Sequence, residues 1–299
     1  MALSTDLTDQ KKGQGISRMN DQTYQIEEKD GNRFVTVSNA SASCRISLFG
    51  GHVLSFIPSH DNRDRLWVSP VAVLNGERPI RGGIPLCWPW FSDAHGKAKG
   101  ELPSHGFLRT QMWDISEFNC DGTTSEMVLT PATTKGPGFN YECAVKLRLK
   151  IASELTVSLE TTSLEEQQAF TLNCALHTYF DVNNIADVAL EGLSGEYKDK
   201  LEDWAVKPAP TPYTFSGETD RIHQEAPETL TIVANQSPYI TIGSAGHDSI
   251  VVWNPWQSAA SMSDMDAFGY KQMLCVETAV TNGTRLNPGD VHTLTQVIA

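Results

Sequence analysis

None of the six cysteines in this 299-residue chain forms a C-x-x-C pair; Cys44, Cys87, Cys120, Cys143, Cys174 and Cys275 lie scattered along it. A disulfide framework is not expected at this length and spacing. Several of them sit in apolar runs, where a free thiol behaves as a small hydrophobe. Positive charge is also scarce. Lys and Arg number 23 against 36 Asp and Glu, a formal net charge of −13. A nucleic-acid binder needs a basic face to neutralise phosphates, and an anionic membrane surface asks for the same, so neither partner is expected. A small anion is still allowed, because a few local arginines outweigh a distant field at physiological salt. No run approaches the ~18 apolar residues of a membrane span. The opening MALSTDLTDQKKGQG has no apolar signal region, so a cytoplasmic address is expected. There is no H-x-H, no H-E-x-x-H, no G-x-S-x-G, no Walker loop and no Gly-rich dinucleotide fingerprint. Neither a metal nor a cofactor is expected on those grounds.

What the chain does have is a period of two. Tyr141, Cys143, Val145, Leu147, Leu149 and Ile151 alternate with Glu142, Ala144, Lys146, Arg148 and Lys150. That pattern is a strand with one wet face. Leu155, Val157 and Leu159 follow after Ser153-Glu154, so the two runs read as a hairpin. Further strands are expected at Phe34–Val37, Cys44–Leu48, Val53–Ile57, Glu126–Thr130, Phe170–Tyr179, Thr229–Val233, Tyr239–Ile242, Ile250–Trp253, Met273–Glu277 and Thr293–Ile298. Helical periodicity is scarce, with 22 Gly and 15 Pro punctuating the chain; one short turn of helix is expected in Asp264–Tyr270. Many short strands between turn signals predict an all-β fold, a large antiparallel sandwich. Residues 1–20 are polar and low in aromatics and read as a disordered tail. Residues 21–299 read as one domain, the Pro-rich stretch Lys207–Pro212 being a long loop within it.

Four segments stand out as places for chemistry. In PIRGGIPLCWPWF, Arg81 stands beside Gly82-Gly83, where the backbone lets a ligand approach. A planar guanidinium there suits an anion or a pair of sugar hydroxyls; a wide loop with its aromatics on the core is the plainer reading. In SHGFLRT, His105 precedes Gly106, with Arg109 close by. A lone His is more often a hydrogen-bonded structural residue, and the loop setting moves this one toward function. In FTLNCALHTYF, the period of two puts Phe170, Leu172, Cys174 and Leu176 on one face. Thr171, Asn173, Ala175, His177 and Tyr179 fall on the other, as on the floor of a cleft or on an ordinary edge. In MLCVET, Glu277 ends an apolar run, and a buried Glu needs water or a cation-like neighbour. A His and a Glu on rigid strands make a cofactor-free acid–base pair.

Five motifs in order, RGGIPLCWPWF, HGFLR, LHTYF, TDRI at Thr219–Ile222 and YKQMLCVET, make the chain resemble the hexose-6-phosphate mutarotases of the aldose 1-epimerase family. The similarity runs from about Phe34 to the C-terminus. It implies the galactose-mutarotase-like β-supersandwich and the interconversion of hexose 6-phosphate anomers, glucose 6-phosphate first. By resemblance His177 matches the catalytic acid and Glu277 the catalytic base. Asp220 matches a carboxylate on sugar hydroxyls, and Arg81 and Arg109 match the arginines that hold the phosphate. His105 matches a second His at the ring. One departure is the Ser92–Gly100 loop, where relatives often have Gly after the Phe and a shorter connection. Its Lys97 and Lys99 are read as a solvated tip.

The chemistry asks for one protonated and one unprotonated group. The Glu reference pKa favours the base, and a carboxylate beside His177 is expected to keep that imidazole protonated at pH 7. The expected partner is a small sugar phosphate, and the expected state a monomer. Two rival readings stay open. One is a lectin-like sandwich with Trp88, Trp90, Trp253 and Trp256 stacking on sugars; the other is an aldose 1-epimerase acting on neutral sugars.

Overall fold

The alternation of Cys143–Ile151 and Leu155–Ser163 is the seam on which the fold is built. In this computed structural model, which describes residues 16–19, 22–94 and 97–299, the two strands pair as an antiparallel hairpin, with Leu147 opposite Leu159. Cys143, Val145, Leu147, Leu149 and Ile151 are buried, as the pattern requires. The hairpin lies in an eight-stranded antiparallel sheet. Its order in space is Val188–Glu191, Thr229–Ala234, Ser237–Ala245, Val291–Ile298, Leu155–Ser163, Cys143–Ile151, Ser125–Pro131 and Trp113–Cys120.

A second eight-stranded sheet carries the chemistry. Its order is Ala205–Pro208, Glu196–Asp199, Thr219–His223, Ser249–Asn254, Met273–Leu286, Phe170–Leu176 and Leu86–Cys87, with Tyr179–Asp181 also paired to Met273–Leu286. A five-stranded meander, Ile16–Met19 to His52–Pro58, forms the third sheet. One apolar cluster from Tyr24 to Ile298 joins all three. Large aromatics such as Trp88, Trp113 and Phe56 sit fully inside it. Each buried aromatic removes an area large enough to outweigh several polar contacts.

The all-β antiparallel class holds. Four details differ from expectation. The run Phe170–Tyr179 is two strands, broken at His177 and Thr178. The run at Met273 continues to Leu286. The helical turn falls at Gly269–Lys271, the end of its expected window and one residue past it. Ile16–Met19 pairs with Gln22–Lys29 as a strand, inside the range read as tail; residues 1–15 lie outside the described residues. Cys44, Cys87, Cys143, Cys174 and Cys275 are free thiols. No helix among the described residues is long and apolar enough to cross a membrane.

Candidate active site

The break in the strand aims His177 at Glu277. Leu176 pairs with Thr278, and Tyr179 pairs with Cys275. The shared register sets His177 directly opposite Glu277, where cross-strand side chains approach closely. The backbone N–H of His177 points to the strand's other neighbour and donates to the Pro85 carbonyl at 3.0 Å. Nδ1 of His177 lies 3.3 Å from Oε1 of Glu277. The approach is not aligned as a hydrogen bond: Nδ1 of His177 and Oε2 of Glu277 are buried without a hydrogen-bond partner among the described residues. Buried polar atoms are rarely left so, and this pair can still take a ligand's hydroxyl or ring oxygen.

Aromatic packing holds the imidazole in place. Tyr179 stacks on it at 5.0 Å and 11°, Trp67 stacks on Tyr179, and Trp253 meets the His177 ring edge-on at 6.0 Å. The Tyr179 hydroxyl accepts from Nη1 of Arg81 at 3.0 Å, and Nε of Arg81 reaches Asp264 at 3.3 Å. Arg81 stands next to Gly82 and Gly83, and a Cβ at Gly83 would lie 2.2 Å from the Val53 carbonyl oxygen. Buried His52 closes the same turn, its Nε2–H donating to the Gly82 carbonyl at 2.7 Å.

His105 enters from the other side. Its φ is +62°, and Gly106 after it has φ +71°. A Cβ on Gly106 would fall 1.8 Å from the Trp88 carbonyl oxygen, so no other residue fits there. The backbone N–H of Ser92 donates to Nδ1 of His105 at 3.2 Å. Nε2 is therefore the protonated nitrogen, and the ring is a neutral donor packed edge-on to His177 at 5.5 Å. Ser92 takes φ +59°, the conformation a Gly would adopt at that place. Lys97 pairs with Glu101 on the exposed side, which supports the reading of this loop as a tip. His95 lies outside the described residues. Arg109 donates through Nη2 to the Ser104 carbonyl at 2.6 Å, while its Nε is buried and unpartnered.

The charges settle differently from the expectation. Burial, then Arg109 and Arg81, push His177 well below the ordinary imidazole range. Burial and Asp220 push Glu277 well above the ordinary carboxylate range. Both shifts disfavour the charged forms, the opposite of an imidazolium held by its carboxylate. The expectation failed because it counted the neighbouring charge and omitted desolvation, which acts on both groups. His105 is driven down in the same way, by burial first and Arg109 second.

All six expected residues bear on one centre. Asp220 acts electrostatically on Glu277, and Arg81 and Arg109 act on both histidines. Sequence reasoning missed Lys200, which pairs with Asp220 at 3.1 Å. It also missed Trp204, which is half exposed. Both line a cleft of about 430 Å³ with Phe91, Lys198, Asp220 and Asn282. Lys200 reads in sequence as surface charge, and nothing in its neighbours marks it. Of the four Trp offered as a sugar platform, Trp88 and Trp90 are buried. Their indoles donate to Thr161 and to the Pro103 carbonyl, so both belong to the core. That correction removes half of the lectin reading's platform. One group of donors has a metal-like arrangement: ligand atoms of His177, Cys275 and Glu277 lie within 4.8 Å of one another. Arg81, Arg109 and Lys200 surround it, and the field that opposes an imidazolium there opposes a divalent cation more strongly.

A family model described as aldose 1-epimerase matches residues 33–299. An Escherichia coli (strain K12) protein named "Putative glucose-6-phosphate 1-epimerase" is 31% identical over 258 residues, 84% of this chain and 84% of that protein. A Cenchrus ciliaris protein of the same name is 30% identical over 284 residues, 89% and 84% of the two chains. Among solved structures, one titled as a "putative mutarotase" from Salmonella typhimurium superposes with a TM-score of 0.86. It is 27% identical and covers 96% of each chain.

Proposed function

This chain belongs to the aldose 1-epimerase family and is an isomerase, and from that premise we propose that it interconverts the α and β anomers of a hexose 6-phosphate, glucose 6-phosphate first. The observation that carries the proposal is the buried, unpartnered His177–Glu277 pair, 3.3 Å apart and within the field of Arg81 and Arg109. A neutral sugar offers no anion to Arg81 and Arg109. A phosphate dianion does, and binds through charge-assisted hydrogen bonds.

The reaction needs one proton and one lone pair, both of which the pair holds. Glu277 takes the C1 hydroxyl proton while His177 gives a proton to the ring oxygen. The C1–O5 bond breaks, the aldehyde turns about C1–C2, and the hydroxyl closes on the other face. The reverse direction exchanges the two roles. Burial disfavours the ionised form of each group, so the forward step needs the proton on His177. Arg81 depresses His177 and is not among the charges that bear on Glu277. A phosphate on Arg81 cancels that depression and shifts the proton toward His177. Docking of the phosphate thus prepares the acid, and binding energy remote from the reacting bond is used for catalysis. His105, a fixed Nε2–H donor, supports the ring oxygen, and Asp220 with Lys200 receives sugar hydroxyls. We also propose that the protein works as a monomer on the free sugar phosphate in the cytoplasm, a state that sedimentation of the purified chain checks.

The test compares glucose 6-phosphate with free glucose and galactose. Preference for the phosphate sugar by at least ~10-fold in kcat/KM supports the proposal, since one charge-assisted bond is worth about that much. Equal rates on all three sugars would move the substrate to neutral aldoses.

A further inference from the structure

His177 and Glu277 both stand on the second sheet, yet the residue that ties their strands together comes from the first. Gln296 lies on Val291–Ile298 at an inward position between Leu294 and Ile298 and is fully buried. An amide there interrupts an apolar stripe and needs every one of its polar atoms satisfied. It has them. Oε1 accepts from the Thr178 hydroxyl at 2.5 Å. Nε2 donates to the Val276 carbonyl at 3.2 Å and to the Thr278 hydroxyl at 2.9 Å. Thr278, whose oxygen accepts from that amide, also bonds Ser244 at 2.7 Å. Ser244 is the cross-strand neighbour of Gln296 in its own sheet. The Val276 N–H bonds the Thr178 carbonyl at 3.3 Å.

The contacts are specific in place. Thr178 follows His177 in the chain, and Val276 and Thr278 flank Glu277. Alternation points Thr178 and Thr278 into the sandwich while His177 and Glu277 face the other way. The strand holding His177 is broken at that point, where the backbone bond from Val276 to Thr178 is long at 3.3 Å. The Gln296 amide adds side-chain bonds across that join.

We propose that Gln296 is a positioning residue, an amide clamp from the opposite sheet that fixes the backbones carrying His177 and Glu277 relative to each other. It touches no substrate. It acts by holding the pair at the separation its proton transfer needs, and that role rests on the functional reading above. A displacement of about 1 Å at a reacting pair is enough for a 100-fold loss of rate.

The experiment uses the full chain, three substitutions at the clamp and one control. Thr178→Val removes one bond of the clamp with little change in volume, Gln296→Met removes all three, and Thr178→Ser restores the hydroxyl. Leu294→Val, the inward neighbour on the same strand, is the stability control. The expected result is a kcat about 10- to 100-fold lower in Thr178→Val and Gln296→Met. KM for glucose 6-phosphate stays within about 3-fold, which is under 1 kcal/mol. Thr178→Ser stays near the parent, and Leu294→Val keeps its kcat despite a lower Tm. The ring nitrogens of His177, followed by NMR against pH, report the clamp without turnover. They should titrate higher in the two clamp variants, because water enters where burial had excluded it, among Glu277, Asp220, Arg81, Arg109 and Lys200. An unchanged kcat and titration in folded Thr178→Val would overturn the clamp, as would a loss of kcat in Leu294→Val of the same size. An inactive parent chain would instead overturn the functional reading, and the titration would then decide the clamp by itself.

Discussion

At Glu277, burial and the neighbouring Asp220 both disfavour the ionised carboxylate. The folded-state pKa stands above the unfolded value of about 4.3. The cost of ionisation is therefore absent at pH 4 and grows as pH rises through the window between the two values. Glu277→Gln removes that cost. Its Tm should exceed the parent's at pH 8, by about 2 °C or more, and match it near pH 4; thermal unfolding at the two pH values checks this. The same variant should lose roughly 10²- to 10⁴-fold in kcat, the range of a general acid–base group, with sugar-phosphate binding nearly kept. Arg109 makes a separate prediction. Arg109→Ala should raise KM for the hexose 6-phosphate by about 10- to 100-fold and change the free-sugar KM little. Equal effects on both sugars would take Arg109 away from the phosphate. The candidate residues themselves were legible, because Glu277 ends an apolar run and His177 ends a face of small and polar side chains. Their protonation was not. A sequence shows which charges are near in the chain, while desolvation belongs to the folded site. Lys200 and Gln296 left no mark for a related reason: a polar side chain does not announce its partner on another strand.

Between strands, Gly106 is the sharpest constraint. Its left-handed φ and the Trp88 carbonyl oxygen, 1.8 Å from any Cβ, leave no room for a side chain. Gly106→Ala should lower stability by roughly 2 kcal/mol or more, the left-handed penalty plus the clash. Denaturant unfolding measures it, and a loss under ~0.5 kcal/mol would mean the segment shifts freely. Strands with one wet face, such as Cys143–Ile151, could be read directly. Trp113–Cys120 could not, since most of its residues are only partly buried or exposed and no clean alternation survives. The strand from Met273 to Leu286 was cut short for the opposite reason: its first eight residues are all buried, so the period of two disappears. The break at His177 was hidden because the bonds around it go to Pro85 and Gly83, residues far earlier in the chain.

For the whole molecule, three sheets share one core, and a chain of net charge −13 gathers Arg81, Arg109 and Lys200 around a single pair of groups. Local cations in a partly buried site act over a shorter range than the acidic surface, which salt screens within about 8 Å. The class of fold was legible from strand density and scarce helical periodicity. The order of strands was not, because neighbours such as Leu155–Ser163 and Val291–Ile298 lie far apart in sequence. The central claim is that this constellation opens and recloses a phosphorylated sugar ring. Anomer exchange by saturation-transfer NMR on glucose 6-phosphate, with glucose and galactose alongside, tests it most directly. The account predicts exchange on the phosphate sugar far above the spontaneous rate, weak on the free sugars and lost in Glu277→Gln. Binding of glucose 6-phosphate with no exchange, or full exchange in Glu277→Gln, would contradict it.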